Sequence, residues 1–153
     1  MTSLERICTA LRDAGVGYAI VGGHAVALHG AVRGTIDIDL VLRWTRQTLR
    51  DAQAALNGIG LVSRLPIDAE DVYAFRDEYI KNRNLIEWNF HNPNDPLEQV
   101  DIVINYDLTG KRTQRVELPS GPIEVLSLPD LIAMKRDTGR PQDLEDVRAL
   151  GRL

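Results

Sequence analysis

The chain has little that would tie it to an oxidising compartment, a membrane or a long polyanion. It has one cysteine, Cys8, which excludes an internal disulfide; at an apolar position of an expected first helix it reads as a small core residue. No apolar run approaches the ~20 residues of a membrane span, and the opening MTSLERIC lacks the charged-then-apolar order of a secretion signal. A formal net charge of -4 provides no global basic field to hold a long nucleic acid, so any RNA contact has to be local. Repeats and low-complexity segments are missing too. These absences point to a reducing, cytoplasmic setting with no membrane partner. What is present suffices for a core: 153 residues with 44% hydrophobic content predict one domain over 1–153.

Periodicity places the elements. Residues 2–13 have Leu4, Ile7, Cys8 and Leu11 at helical spacing, with Thr2 and Glu5 able to form a capping box and Gly15 to end the helix. Residues 18–21 and 36–42 read as strands, with a short helical stretch over 24–29 between them. Residues 45–57 predict a helix burying Leu49, Ala52, Ala55 and Leu56. A short strand is expected over 61–65, and a short helix or irregular segment over 68–81. Strands over 85–90 and 99–105 flank the turn-rich HNPNDP, and 115–118 with 123–126 reads as a hairpin. Residues 127–153 form a helical tail. Ser127 caps a helix that buries Leu131 and Met134 and stops at Gly139; Pro141 starts another, with Leu144, Val147 and Leu150 inward. Interleaved helices and strands predict an α/β (α+β) fold, a short mixed sheet flanked by helices.

The chemistry concentrates in residues 18–42, YAIVGGHAVALHGAVRGTIDIDLVL. Alternate residues of a strand share a face, so Asp37 and Asp39 point one way and Ile36, Ile38 and Leu40 the other. Two carboxylates about 6 Å apart at an effective dielectric near 20 repel by roughly 3 kcal/mol, a penalty that a divalent cation between them reverses. Asp101, alternating with Val100, Ile102 and Ile104, is a third acid on the non-core face of an expected neighbouring strand. Such carboxylates supply the oxygen ligands that Mg²⁺ (or Mn²⁺) takes, with phosphate and water completing the shell. Gly22-Gly23, ahead of a helix, lets backbone approach a ligand closely and offers amides to an anion.

Val21-Gly22-Gly23, then Thr35-Ile36-Asp37-Ile38-Asp39-Leu40, with Asp101 downstream, resembles the DNA-polymerase-β-type nucleotidyltransferase superfamily. The tail SLPDLIAMKRDTGRPQDLEDV is similar to that of the abortive-infection branch, which includes toxins of toxin–antitoxin systems. The resemblance implies transfer of a nucleoside monophosphate from an NTP to a hydroxyl, with Asp37, Asp39 and Asp101 as metal-binding catalytic carboxylates. It implies nucleotide contacts at Gly22, Gly23 and His24, the last standing where many members have serine near the first glycine. Arg33 and Lys135 are the cationic candidates for the triphosphate, with Asp143 and Asp146 able to orient such cations. The acceptor (tRNA or other RNA, a protein or a small molecule) is left open. Candidate partners are an antitoxin or a second copy of the chain. The rival is a non-catalytic nucleotide- or partner-binding module of the same fold. Asp-x-Asp also occurs in sugar-nucleotide glycosyltransferases and haloacid-dehalogenase-type phosphatases. Neither fits a short chain upstream of Asp37 and a Gly-Gly helix before it.

Overall fold

The computed structural model describes residues 1–30 and 37–153. The chain begins with α1 (Ser3–Asp13), opened by the expected capping box: Thr2 Oγ1 accepts from the Glu5 amide while the Glu5 side chain reaches back to the Thr2 amide. Then come β1 (Tyr18–Val21), α2 (Gly22–Leu28), β2 (Ile38–Leu42) and α3 (Arg46–Gly58), followed by β3 (Val62–Ser63), a strand of two residues. The segment over 68–81 is helical but divided, as α4 (Ala69–Ala74) and α5 (Arg76–Asn82) meet at Phe75. β4 (Glu87–Asn92) and β5 (Asp95–Val103) form a hairpin tighter than expected, since β5 already begins inside the turn-rich stretch. β6 (Thr113–Leu118) and β7 (Gly121–Leu126) form the second hairpin, and α6 (Leu128–Thr138) and α7 (Pro141–Leu150) complete the chain.

Among the described residues the strands form one mixed seven-stranded sheet in the order β3-β4-β5-β2-β1-β7-β6. β2 lies antiparallel to β1 and parallel to β5, at the centre of the sheet. The alternation read from the sequence holds there. Leu40, Ile102, Trp88 and Phe90 are fully buried, and they join Ile7 and Leu11 of α1, Leu49 and Leu56 of α3 and Val72 of α4 in one apolar core. Asp39, Asp101 and Asn89 occupy the alternate positions and are only half-buried. Arg6 of α1 fastens this core to β5 with a two-pronged contact to buried Glu98, Nε to Oε2 at 3.1 Å and Nη2 to Oε1 at 2.6 Å. Cys8 is a buried core residue as expected, and desolvation pushes its thiol up to about 11, which leaves it unreactive.

The tail departs from its apolar pattern. In α7 the buried side chains are Asp143, Asp146 and Leu150, while Leu144 is 43% exposed and Val147 only half-buried. In α6, Lys135 is more buried than Met134. The physical reason is a single charge pairing. Lys135 Nζ stands 3.0 Å from Asp146 and 3.8 Å from Asp143, so burying these three side chains together decides how α7 rotates against α6.

Candidate functional site

Parallel pairing of β2 with β5 sets Asp39 directly beside Asp101 as register partners, and antiparallel pairing with β1 sets Asp39 opposite Val21, the residue before Gly22. β4 adds a further acid. Asn89 is the register partner of Asp101 and Glu87 that of Val103, so Glu87 lies diagonally across from Asp101 on the same face. Among the described residues, the acids whose ligand oxygens gather within 4.8 Å of one another are Asp39, Glu87 and Asp101. Asp37 is exposed, one residue ahead of β2, and stands outside this group. The sequence reading missed Glu87. The signal was there in Glu87-Trp88-Asn89-Phe90, whose alternation buries the two rings and turns Glu87 and Asn89 to the other face.

Three carboxylates this close repel one another. Glu87 is exposed as a residue, but its carboxyl end lies against Asp101, with which it shares a hydrogen bond. Desolvation, then the charges of Asp101 and Asp39, raise it from an ordinary 4.5 to about 7. The raised value means that the folded protein holds a proton there which the unfolded chain releases. Stability is therefore fully present below about pH 4.5 and falls as pH rises through 7. Thermal melts of the metal-free protein should show this decline between about pH 5 and 8, and Glu87→Gln should flatten it. An unchanged slope in that variant would place the proton elsewhere.

Gly22 is required by geometry twice over. Its φ of +68° is left-handed, and a Cβ built on it would overlap the Asp39 carboxylate, lying 3.0 Å from both Cβ and Cγ of that residue. Backbone thus replaces a side chain against the acid. Gly23 is buried and His24 half-buried, both in the seven-residue α2; Arg33 falls outside the described residues. Lys135 lies on the same cleft as Gly22, Asp39 and Glu87, a hollow of about 70 Å³, but its ammonium is engaged by Asp146 and Asp143. Arg140, which opens α7, also lines it. Its guanidinium bonds Asp143 at 2.7 Å, and that bond, reinforced by the charges of Asp143, Glu87 and Asp39, keeps it firmly protonated. Three larger surface hollows, one by Trp44, Tyr73 and Arg76, one by Val16, Tyr18 and Arg43 and one by Leu65, Ile67 and Tyr79, do not include the three clustered carboxylates.

The donor set suits a hard divalent ion. Three carboxylates supply the oxygen chemistry of Mg²⁺ or Mn²⁺ and no soft ligand, and their mutual crowding is what a bound cation relieves.

A mixed sheet that carries paired acids on its central strands beside a glycine turn is the fold of the nucleotidyltransferases, and the comparisons agree. The chain belongs to the family described as nucleotidyltransferase of unknown function (DUF6036), which matches residues 4–151. Solved structures share the architecture at low identity. The lincosamide antibiotic adenylyltransferase LnuA, bound to lincomycin, aligns with a TM-score of 0.61 at 16% identity, over 97% of this chain and 94% of that one. The enzyme ANT(2'')-Ia, in complex with adenylyl-2''-tobramycin, gives 0.57 at 14% identity, over 96% and 84%. An antigenic nucleotidyltransferase-like protein from Paracoccidioides brasiliensis gives 0.59 at 15%, over 95% and 72%. At such identities the likeness is one of fold. A search of curated protein sequences returns no match. Among the described residues no helix is long and apolar enough to cross a membrane.

Proposed function

We propose that the protein is a metal-dependent nucleotidyltransferase that moves a nucleoside monophosphate from an NTP to an acceptor hydroxyl. The observation that carries the reading is the register pairing of Asp39 with Asp101, with the Gly22 backbone laid against Asp39. Asp39 and Asp101 would hold Mg²⁺ or Mn²⁺, with Glu87 completing the group and Asp37 close by in sequence. A bound divalent ion would neutralise phosphate charge and favour an ionised acceptor oxygen.

The chain's own residues do the rest. Gly22 and Gly23 admit the triphosphate close to the backbone, with His24 as a neighbouring contact and Arg33 a cationic candidate on sequence grounds alone. The small cleft suits phosphate groups, so the nucleoside lies outside it. Arg140, whose guanidinium lines the cleft, is the cation on the side where pyrophosphate collects, while Lys135 is taken up by Asp146 and Asp143. The acceptor oxygen attacks the α-phosphorus, the bond to the bridging oxygen breaks, and the hydroxyl proton passes to a carboxylate oxygen of the cluster, for which Asp101 is the candidate. Positioning and charge compensation supply most of the acceleration.

For the acceptor, a small hydroxylated molecule is favoured over RNA. Net charge is -4, and two of the similar folds are described with antibiotics that fit that class. The finer placement, a toxin-like enzyme of the abortive-infection type with an antitoxin or a second copy as partner, rests on the tail over 127–150. A cytoplasmic setting accords with the buried thiol of Cys8.

The test is incubation with each of four α-labelled NTPs and Mg²⁺, alone and with hydroxylated antibiotics, tRNA or cell lysate. Label transfer with pyrophosphate release is expected. An NTP-dependent thermal shift with no release under any condition would favour the non-catalytic binding module.

A further inference from the structure

Next to the carboxylates is a side chain whose every polar atom is used. Asn89 Nδ2 donates to Asp101 Oδ1 at 2.7 Å and to Gln99 Oε1 at 3.2 Å, and Asn89 Oδ1 accepts from Arg64 Nε at 2.9 Å. The orientation of this amide follows from chemistry. A guanidinium can only donate, so the oxygen end must face Arg64 and the nitrogen end must face Asp101. Arg64 is itself held at its backbone, where its amide donates to the Asn89 carbonyl at 3.0 Å. Gln99 precedes Asp101 by two residues on the same face of β5, so both amide hydrogens are spent along one strand.

We propose that Asn89, with its amide locked by Arg64, is a positioning residue that fixes the Asp101 carboxylate in the rotamer that binds the divalent ion. The inference rests on the metal-dependent reading above. Asn89 occupies one oxygen of Asp101 with a neutral donor, so this contact aims the carboxylate without cancelling its charge. Arg64 acts at one remove. It fixes the oxygen end of the amide and makes its own contact with Asn89 rather than with the carboxylate. Without Arg64 the amide oxygen loses its donor, and only the contacts to Asp101 and Gln99 hold the amide in place.

Mn²⁺ binding followed by electron paramagnetic resonance, in the presence of each α,β-methylene NTP, reads this without turnover. Asn89→Ala should weaken Mn²⁺ binding about ten- to a hundredfold, with the NTP KM at saturating metal unchanged. Arg64→Ala, at an exposed position, should weaken it less, and should add nothing in the Asn89→Ala background. Unchanged Mn²⁺ affinity in folded Asn89→Ala overturns the proposal. So does an Arg64→Ala effect that persists undiminished in the double variant, which would mark a simple field effect. Should Asn89→Ala fail to fold, Arg64→Ala alone decides, and wild-type affinity there counts against the lock. If the wild-type protein binds no Mn²⁺ with any nucleotide, the metal-dependent reading falls and this inference with it.

Discussion

Asp39→Asn is expected to lower nucleotidyl transfer by at least a hundredfold, about 2.7 kcal/mol of transition-state stabilisation, without lowering the melting temperature. The two halves of this expectation have different origins. Asp39 stands where β1, β2 and β5 meet, beside Asp101 and under the Gly22 backbone, so it is the acid nearest to every other part of the site. Neutralising it leaves the remaining carboxylates without the charge that draws a divalent ion and its phosphate load. In the metal-free protein the same change removes a like-charge repulsion with Glu87, which offsets the loss of its attraction to Arg140. Thermal shift separates the effects. The wild type should gain stability when NTP and Mg²⁺ are added together, by about 2.7 kcal/mol at a hundredfold excess over Kd, and the variant should gain little. Wild-type pyrophosphate release in a well-folded Asp39→Asn protein would remove this residue from the mechanism.

Lys135→Met should destabilise the protein by about 3–5 kcal/mol, or at the lower figure a fall of about 6–12 °C in Tm for a chain of this size. A lysine that served only as a cation for the triphosphate would affect kinetics and leave melting almost unchanged. Burial reverses that expectation. Lys135 is 6% exposed and faces Asp143 and Asp146, which are equally enclosed. Arg140 would go on neutralising Asp143, and Gln142 would still donate to Asp146 at 3.0 Å, but the 3.0 Å ion pair between Lys135 and Asp146 would be lost. Rescue distinguishes this from loss of packing. Adding Asp146→Asn to Lys135→Met should recover a large part of the lost stability, because a buried carboxylate no longer has to do without its 3.0 Å lysine. If the double variant melts no higher than the single one, the ion pair is not what fixes α7 on α6.

Much of the sheet was legible because its signals are local. The Thr2–Glu5 capping box, the hairpin read over 115–118 and 123–126 and the alternation around Asp39 and Asp101 each depend on a few adjacent residues. What was hidden depends on pairing between distant segments. Glu87 and Asn89 showed a polar face, but only the β4–β5 register brings that face to Asp101. α7 was misjudged for a related reason. Leu144, Val147 and Leu150 form a plausible apolar stripe, yet the helix turns by one position to satisfy a lysine on its neighbour. Hydrophobic periodicity assumes that apolar area decides rotation, and here an uncompensated buried charge would cost more than one exposed leucine. The divided helix at Phe75 and the early start of β5 are smaller misses at boundaries, where local pattern is weakest.

The side-by-side placement of Asp39 and Asp101 also bears on how the chain avoids misfolding. In a sheet, sliding one strand by a single residue exchanges its two faces. For β2 or β5 such a slip would drive an aspartate into the space filled by Leu40 and Ile102 and lift an oily side chain into water. A misaligned central strand would be penalised at once and heavily, so the acids that define the reactive face also proofread the alignment of the strands that carry them.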